Sequence, residues 1–565
     1  MNGRLRINPM AWLRTTAEQL TSLAGRIAKA FTPPSFAQAG ESPTQRRGGH
    51  VVCYHPQARD IGEAILAAGG NAFDAFVATT AAENVLSEGA TSLAGSLGVV
   101  IYRARDGLIS YLDATHDDPL DSAALWTAQD PAAGKAALVP GAPAGLAALA
   151  RSHGRLSLEA ALAPAIALAE EGFPVCRLMA ATIAHRARIL RRTDYGRRTY
   201  LPDGKPMRPG DTLRLPRMAA WLRGFAERGS SYVYHGGFGR QFIATVRAEG
   251  GRLTERDLAA YRERWCVPWT TTFRGVTLHS CSGRSYGGLW TLLALKTLEH
   301  AAASERPHYA QDARALERMI RIAREVWSEQ FLFEDVVEKD PAAVQSRLTP
   351  EYTATIWDRV IKQSPALASP PGGTHSFHII TTDAEGNIAS GTTTAQSEPW
   401  GDGIFVEGLP LTTAGRLPFS AGLARRRLSP LSIHLALRGG RPLFSLGAIS
   451  NSVAEAAFQF IVNLIDHRLP VREALEAPRF GTFPPDARQM PRLDRNWLDP
   501  RIDRKIVRAL RRRGLKVQRR GMVDTGLGAV LRFHDGETSE GGLVPIPYLA
   551  QPFCTPADRS RRGPG

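Results

Sequence analysis

About two-thirds of the way along the chain, a strand–turn–strand signal limits the fold more than any other feature. Phe377 to Thr382 and Ile388 to Thr394 are runs rich in β-branched residues, separated by Asp383-Ala384-Glu385-Gly386-Asn387. Gly and Asn accept left-handed backbone and Asp bonds its own turn, so the pentapeptide folds the chain back on itself. Alternation then sets the faces. Phe377 and Ile379 share one face, while Ser376, His378 and Ile380 share the other. Further strands are expected at Ser432 to Leu437, Pro442 to Leu446 and Val530 to Phe533, the last turning at Asp535-Gly536. A helix from Val453 to Asp466 precedes that final turn.

The first half reads differently. Val51 to Tyr54 is a strand, followed by a helix through Ile61 to Ala68 that stops at Gly69-Gly70-Asn71. A second helix begins near Ala72, with Ala75, Ala78, Ala81 and Ala82 as a small-residue face for close packing. Val99 to Tyr102 and Leu108 to Leu112 pair around Asp106-Gly107. Residues 136–330 are expected to be mainly helical, at Ser157 to Glu171, Arg240 to Glu249, Thr254 to Arg262 and Asp312 to Phe331. Gln363 to Gly373, rich in Pro, Ser and Gly, reads as an exposed linker. Helices mixed with antiparallel hairpins in this way make an α+β layered sandwich.

Composition removes several classes. With 565 residues, 43% of them hydrophobic, the chain builds a large core and is not disordered overall. Cys53, Cys176, Cys266, Cys281 and Cys554 are too scattered for a disulfide framework or a CxxC metal site. His375 and His378, three apart on a strand, point to opposite faces and make poor joint ligands. No metal and no cofactor are expected. Lys and Arg outnumber Asp and Glu, 70 to 54, for a net charge of +16. The densest run, Arg511-Arg512-Arg513 with Lys516, Arg519 and Arg520, ends an expected helix, where cations face the negative pole. No zinc-finger, RNA-recognition or helix-turn-helix pattern accompanies it, so nucleic acid is not an expected partner. Nothing approaches the roughly 18 consecutive apolar residues of a membrane span. Residues 1–46 read as a poorly packed arm. Arg14, Glu18, Arg26 and Lys29 break up any signal-peptide core before Ala37-Gln38-Ala39. A cytoplasmic location is expected, with periplasmic or secreted as the alternative.

Short motifs run collinearly through most of the chain. They include His55-Pro56, Gly69-Gly70-Asn71-Ala72 with Asp74-Ala75, Val139-Pro140-Gly141, Gly154-Arg155-Leu156 and Glu171-Gly172-Phe173-Pro174. Gly250-Gly251, Asp257-Leu258, Gly386-Asn387, Leu428-Ser429 and Ala477-Pro478-Arg479-Phe480 continue the series. Their order resembles the gamma-glutamyltranspeptidase family of N-terminal nucleophile hydrolases, over roughly residues 48–545. The resemblance implies a four-layer αββα sandwich made as one chain that cuts itself. A large-subunit-like region at 47–375 and a small-subunit-like region at 376–565 would then form a heterodimer of the chain's own fragments. It also implies an amide hydrolase or acyl transferase, acting through an acyl-enzyme on a γ-glutamyl or related small amide or peptide. A hydroxyl is a weak nucleophile until a base stands beside it, and the α-amine freed by cleavage is such a base.

The family's Thr-Thr-His run lies seven residues before an Asp. Counting back from Asp383 lands on Ser376, with Phe377 in the second Thr position and His378 matching the His. Thr374 is the alternative nucleophile, two residues out of register, and an uncleaved, inactive family member with a binding role is the alternative to both. Thr394 corresponds to the family's Thr that tunes the nucleophile, and Gln396 to an Asn lining the site. Ser429 matches the first of two site serines, the second being Pro430 here. The family's oxyanion loop appears as Gly447-Ala448-Ile449-Ser450-Asn451-Ser452, with backbone N–H groups at Ser450 and Asn451. Side chains there restrict φ where the family has glycine. The head-group pocket departs further. Thr115 replaces the Arg that binds the substrate's α-carboxylate, and a Thr offers no charged fork. Thr412 and Thr413 stand in the family's Asn-Asn run, without its acidic partner for the substrate amine. His116 and Arg416 are the neighbours with something to offer in compensation. Ordinary glutathione chemistry is therefore not expected. Gly283-Arg284-Ser285-Tyr286-Gly287-Gly288 reads as a structural loop rather than a serine elbow.

Overall fold

The computed structural model describes residues 44–47, 49–121, 125–127, 130, 133–301, 307–329, 332, 336–362, 376–416, 425–450, 452–482, 495–519, 526–534 and 538–544. Two antiparallel sheets face each other. One has six strands in the order His50–Val52, Ser376–Thr382, Ile388–Thr394, Ser96–Arg103, Leu108–Ala114, Arg264–Cys266. The other has seven, in the order Thr44–Arg47, Thr538–Leu543, Leu527–His534, Arg441–Ile449, Ser432–Arg438, Val276–Ser280, Trp269–Phe273. Helices Ala72–Leu86 and Ala142–His153 cover the outer face of the first sheet, and Tyr286–Leu298 and Val453–Ile465 that of the second. The four-layer αββα order follows directly. Among the described residues no helix is long and apolar enough to cross a membrane.

The expected central hairpin forms, its register running from Ser376 opposite Thr394 to Thr382 opposite Ile388. Its turn is held from within and from outside. Asp383 Oδ1 accepts from the Glu385 and Asn387 N–H groups, each at 3.0 Å, while Oδ2 accepts from Asn387 Nδ2 and the Ala72 N–H, each at 2.9 Å. The Thr381 hydroxyl donates to the Ala72 carbonyl at 2.7 Å. Helix Ala72–Leu86 starts there, with Asn71 and Asp74 forming a reciprocal capping box. Asp74 also accepts from the Arg155 and Leu156 N–H groups. Three of the collinear motifs therefore meet as structural anchors at one end of the hairpin.

Phe377 and Ile379 pack toward the helices, where the Tyr54 ring lies 5.4 Å from that of Phe377. Ile380 and Ile388 join Val100, Leu431, Ile433, Leu435, Ala529 and Leu531 between the sheets. Each fully buried aliphatic side chain adds about 1.5–3 kcal/mol, so both faces of the hairpin are strongly specified. Helix Ala72–Leu86 is buried all round, not along one stripe. It approaches the sheet where Gly391 leaves room, since a Cβ there would lie 2.5 Å from the Phe76 ring.

Three expectations change. Residues 136–330 hold helices but also the strands Arg264–Cys266, Trp269–Phe273 and Val276–Ser280. The last two turn through Arg274 and Gly275, at φ of 50° and 75°, the two-residue left-handed loop that suits a twisted hairpin. The helix after the first strand begins at Pro56 rather than near Ile61, because Pro is preorganised for a first helical position. Thr44–Arg47 already pair with Thr538–Leu543, inside the segment expected to be a loose arm. The linker 363–373 lies outside the described residues, as do Thr374 and His375.

Candidate active site

The two sheets approach closely where His378 meets Gly447. A Cβ on Gly447 would sit 2.0–2.3 Å from three atoms of the imidazole, so only glycine fits beneath the ring. This contact aligns the ends of the strands. The start of Ser376–Thr382, the end of Ile388–Thr394, the start of Ser96–Arg103 and the end of Arg441–Ile449 share one end of the sandwich. Ser376 is partly exposed there, with Thr394 as its Cα partner and Ser96 beyond Thr394 in the same row. His378 lies one layer beneath. Its Nδ1 is 2.8 Å from Thr392 Oγ1 and its Nε2 3.1 Å from Ser390 Oγ. Burial, helped by His434, pushes its pKa down to about 3, so the ring is neutral and both nitrogens are engaged. Among the described residues no three His, Cys, Asp or Glu side chains gather as metal ligands.

Gln396, just past the hairpin, is the most constrained residue of the site. Its φ of 48° lies in the left-handed region, which costs a non-glycine residue about 1–2 kcal/mol. Its backbone N–H donates to Thr394 Oγ1 at 3.1 Å, and its Nε2 donates to Ser429 Oγ at 2.9 Å. Its Oε1 lies 3.0 Å from His116 Nδ1 and 3.3 Å from Ser96 Oγ. Ser96 Oγ and His116 Nδ1 are 2.6 Å apart, and the His116 backbone N–H donates to the same hydroxyl at 3.0 Å. Burial chiefly holds the His116 pKa down at about 4, with Arg427 and Arg426 adding to it against the Gln396 hydrogen bond. This cluster is therefore buried and uncharged.

Ser429 is fixed from its other side by the 283–288 loop. Its N–H donates to the Arg284 carbonyl at 3.0 Å, and its carbonyl accepts from the Tyr286 N–H at 3.1 Å. A Cβ on Gly287 would lie 2.5 Å from the Pro430 carbonyl oxygen, so this loop works by close backbone approach. At the oxyanion loop, Ser450 has φ of 80° and Ser452 φ of 44°, a glycine-like path taken without glycine. Ser452 stands at the N-cap of helix Val453–Ile465, whose N-terminus adds positive potential. Asn451 lies outside the described residues.

The region corresponding to the head-group pocket is occupied by its own pairs. The Thr115 hydroxyl donates to Asp113 Oδ1 at 2.7 Å, and the Thr115 N–H reaches the same oxygen at 3.0 Å. Arg426, fully buried, contacts Asp113 at 3.0 Å and Asp117 at 2.7 Å, and lies over the Tyr261 ring. Arg427 pairs with Asp118 at 2.6 Å, and Arg425 with Asp117 at 3.2 Å. Thr413 Oγ1 and its backbone N–H both bond Ser397 Oγ, at 3.0 and 3.1 Å, with Thr412 buried beside it. Arg416 forks onto Asp402 at 2.8 and 2.6 Å, so it is committed elsewhere. His116 is neutral, so neither neighbour supplies the missing charge. Ser96, Ser397 and the Arg425–Arg427 clamp were not anticipated. The matching signal was a triplet of arginines and a set of aspartates at 113, 117 and 118.

The sequence profile of the gamma-glutamyltranspeptidase family matches residues 58–543. Acylase ACY 1 proenzyme of Pseudomonas sp. (strain SE83) is 29% identical over 534 residues, spanning 88% of this chain and 92% of the relative. Glutathione hydrolase proenzyme of Bacillus subtilis (strain 168) is 25% identical over 523 residues, spanning 83% of this chain and 88% of that protein. The crystal structure of cephalosporin acylase from Bacillus halodurans superposes with a TM-score of 0.78 at 26% identity, over 91% of this chain and 96% of that one.

Proposed function

This chain belongs to the gamma-glutamyltranspeptidase family, and we propose that it is a self-processing amide hydrolase or acyl transferase with Ser376 as nucleophile. The observation that carries this reading is the placement of Ser376. It opens a strand at the end of the sandwich, directly opposite Thr394, seven residues before the Asp383 turn. In self-processing, Ser376 Oγ attacks the carbonyl carbon of residue 375 and its proton passes to the departing nitrogen. The C–N bond breaks and an ester forms. Water then adds to the ester, leaving a carboxylate on 375 and a free α-amine on Ser376, and dividing the chain into residues 1–375 and 376–565.

In turnover the same hydroxyl takes the acyl group of an amide, with the α-amine as base. The developing oxyanion is met by backbone N–H groups of Ser450 and Asn451. Water or an amine then accepts the acyl group. Thr394 orients the nucleophile, and Gln396 and Ser429 line the acyl side. The substrate we favour is a small amide whose acyl part lacks an α-amino-acid head group. Support comes from Thr115, Thr413 and Arg416 being tied to partners within the chain, and from relatives named acylases.

The first experiment is denaturing electrophoresis of the purified protein, with mass and N-terminal analysis of each band. Two fragments are expected, the smaller starting at Ser376, with Ser376→Ala giving one uncut chain and no amide turnover. A parent that remains whole and turns over no amide would replace this reading with a binding role.

A further inference from the structure

We propose that His116 is a positioning residue that acts through Gln396, holding its left-handed backbone and carboxamide so that Thr394 is correctly presented to Ser376. The inference rests on the reading of Ser376 given above. Gln396 occupies an unfavourable conformation in a buried place, and such conformations persist only where surrounding contacts over-determine them. Here the contacts are countable. The backbone N–H is bound to Thr394 Oγ1, the amide Nε2 to Ser429 Oγ, and Oε1 lies against His116 Nδ1 and Ser96 Oγ.

Oε1 only accepts and Nε2 only donates, so the Ser429 bond fixes which end of the amide faces His116. A hydrogen on Nδ1 then completes the link. That hydrogen bond runs from the 113–118 segment, across Gln396, to the residue opposite the nucleophile. Without it, nothing from the 113–118 segment holds the carboxamide. Only Ser429 and Ser96 then hold the amide, and the Gln396 N–H sits less firmly on Thr394. Ser376 is not touched by His116. Gln396, whose N–H binds the residue across the hairpin, is.

Asparagine carries its amide nitrogen where histidine has Nδ1, whereas glutamine carries it where histidine has Nε2. The pair therefore separates hydrogen bonding from bulk. Cell-free synthesis followed by gel time courses would give the rate constant for self-cleavage. His116→Ala and His116→Gln are expected to slow cleavage about tenfold or more, the scale of losing one buried hydrogen bond that aligns a reacting group. His116→Asn is expected to stay within about threefold of the parent, with unchanged thermal melting. Equal rates for the Asn and Gln variants would overturn the proposal. If His116→Ala does not fold, the Asn and Gln pair still decides. Cleavage by Ser376→Ala, or none by the parent, would instead bring down the underlying reading. A silent Ser376→Ala beside a fully active His116→Gln would remove only this one.

Discussion

Arg425-Arg426-Arg427 and Arg511-Arg512-Arg513 are the same tripeptide with opposite fates. The first is held against Asp113, Asp117 and Asp118, with Arg426 and Arg427 buried. The second ends helix Arg504–Arg512, where Ile506, Val507 and Leu510 are buried and Arg511 and Arg512 are exposed. Arg513 reaches across to Glu317, and Arg511 donates to the Val517 carbonyl. One triplet is tied into the interior beside His116, while the other decorates the surface. Charge density along the sequence therefore says little about burial. The partners of the first triplet lie about three hundred residues upstream, where no local pattern points to them.

The comparison is easiest to break at Arg426. Arg426→Ala strands two buried carboxylates and is expected to cost about 3–5 kcal/mol, read as a lowered urea midpoint. A loss no larger than that at the surface triplet would erase the distinction. Next in size is an acid effect. The folded pKa of His116 is depressed to about 4 from 6.5, chiefly by burial, with Arg427 and Arg426 adding to it. The unfolded chain therefore binds the extra proton between those values. The stability tied to His116 is present above pH 6.5 and is lost as pH falls toward 4, by about 3 kcal/mol. Denaturation curves across that range for the parent and His116→Asn should diverge by this amount, the variant having the flatter profile. Smallest is Arg512→Ala, which should move stability by no more than about 0.5 kcal/mol. A larger change would give the exposed triplet a structural role that its environment does not suggest.

Much of the architecture was legible because its signals are local. The Asp383–Asn387 turn, the Gly69-Gly70-Asn71 helix stop and the alternation through Phe377 and Ile379 each depend on residues a few positions apart. The register of Ser376 against Thr394 follows from that turn. The Arg264–Ser280 strands were missed because their hairpin turns on an unremarked Arg-Gly pair within a helical region. At the site, the substitutions at 115 and 412–413 were visible, but not where those side chains would go. Thr115 turns to Asp113 and Thr413 to Ser397. Gln396, read as a conservative replacement, bonds Ser96, Ser429 and His116 across gaps of 300, 33 and 280 residues, which is why only the fold reveals them.

The fit of His378 over Gly447 makes that point of the sandwich a gauge of sheet separation. Much of the space between the sheets is filled by aliphatic side chains that can re-pack, but here a flat ring rests on bare backbone. A single added methyl would act as a wedge, because the imidazole is tied on both edges and has nowhere to tilt. The wedge would open the sandwich at the end where Ser376 and Ser450 stand on opposite sheets. The spacing of Ser376 from Ser450 is thus set from below, by the glycine at position 447.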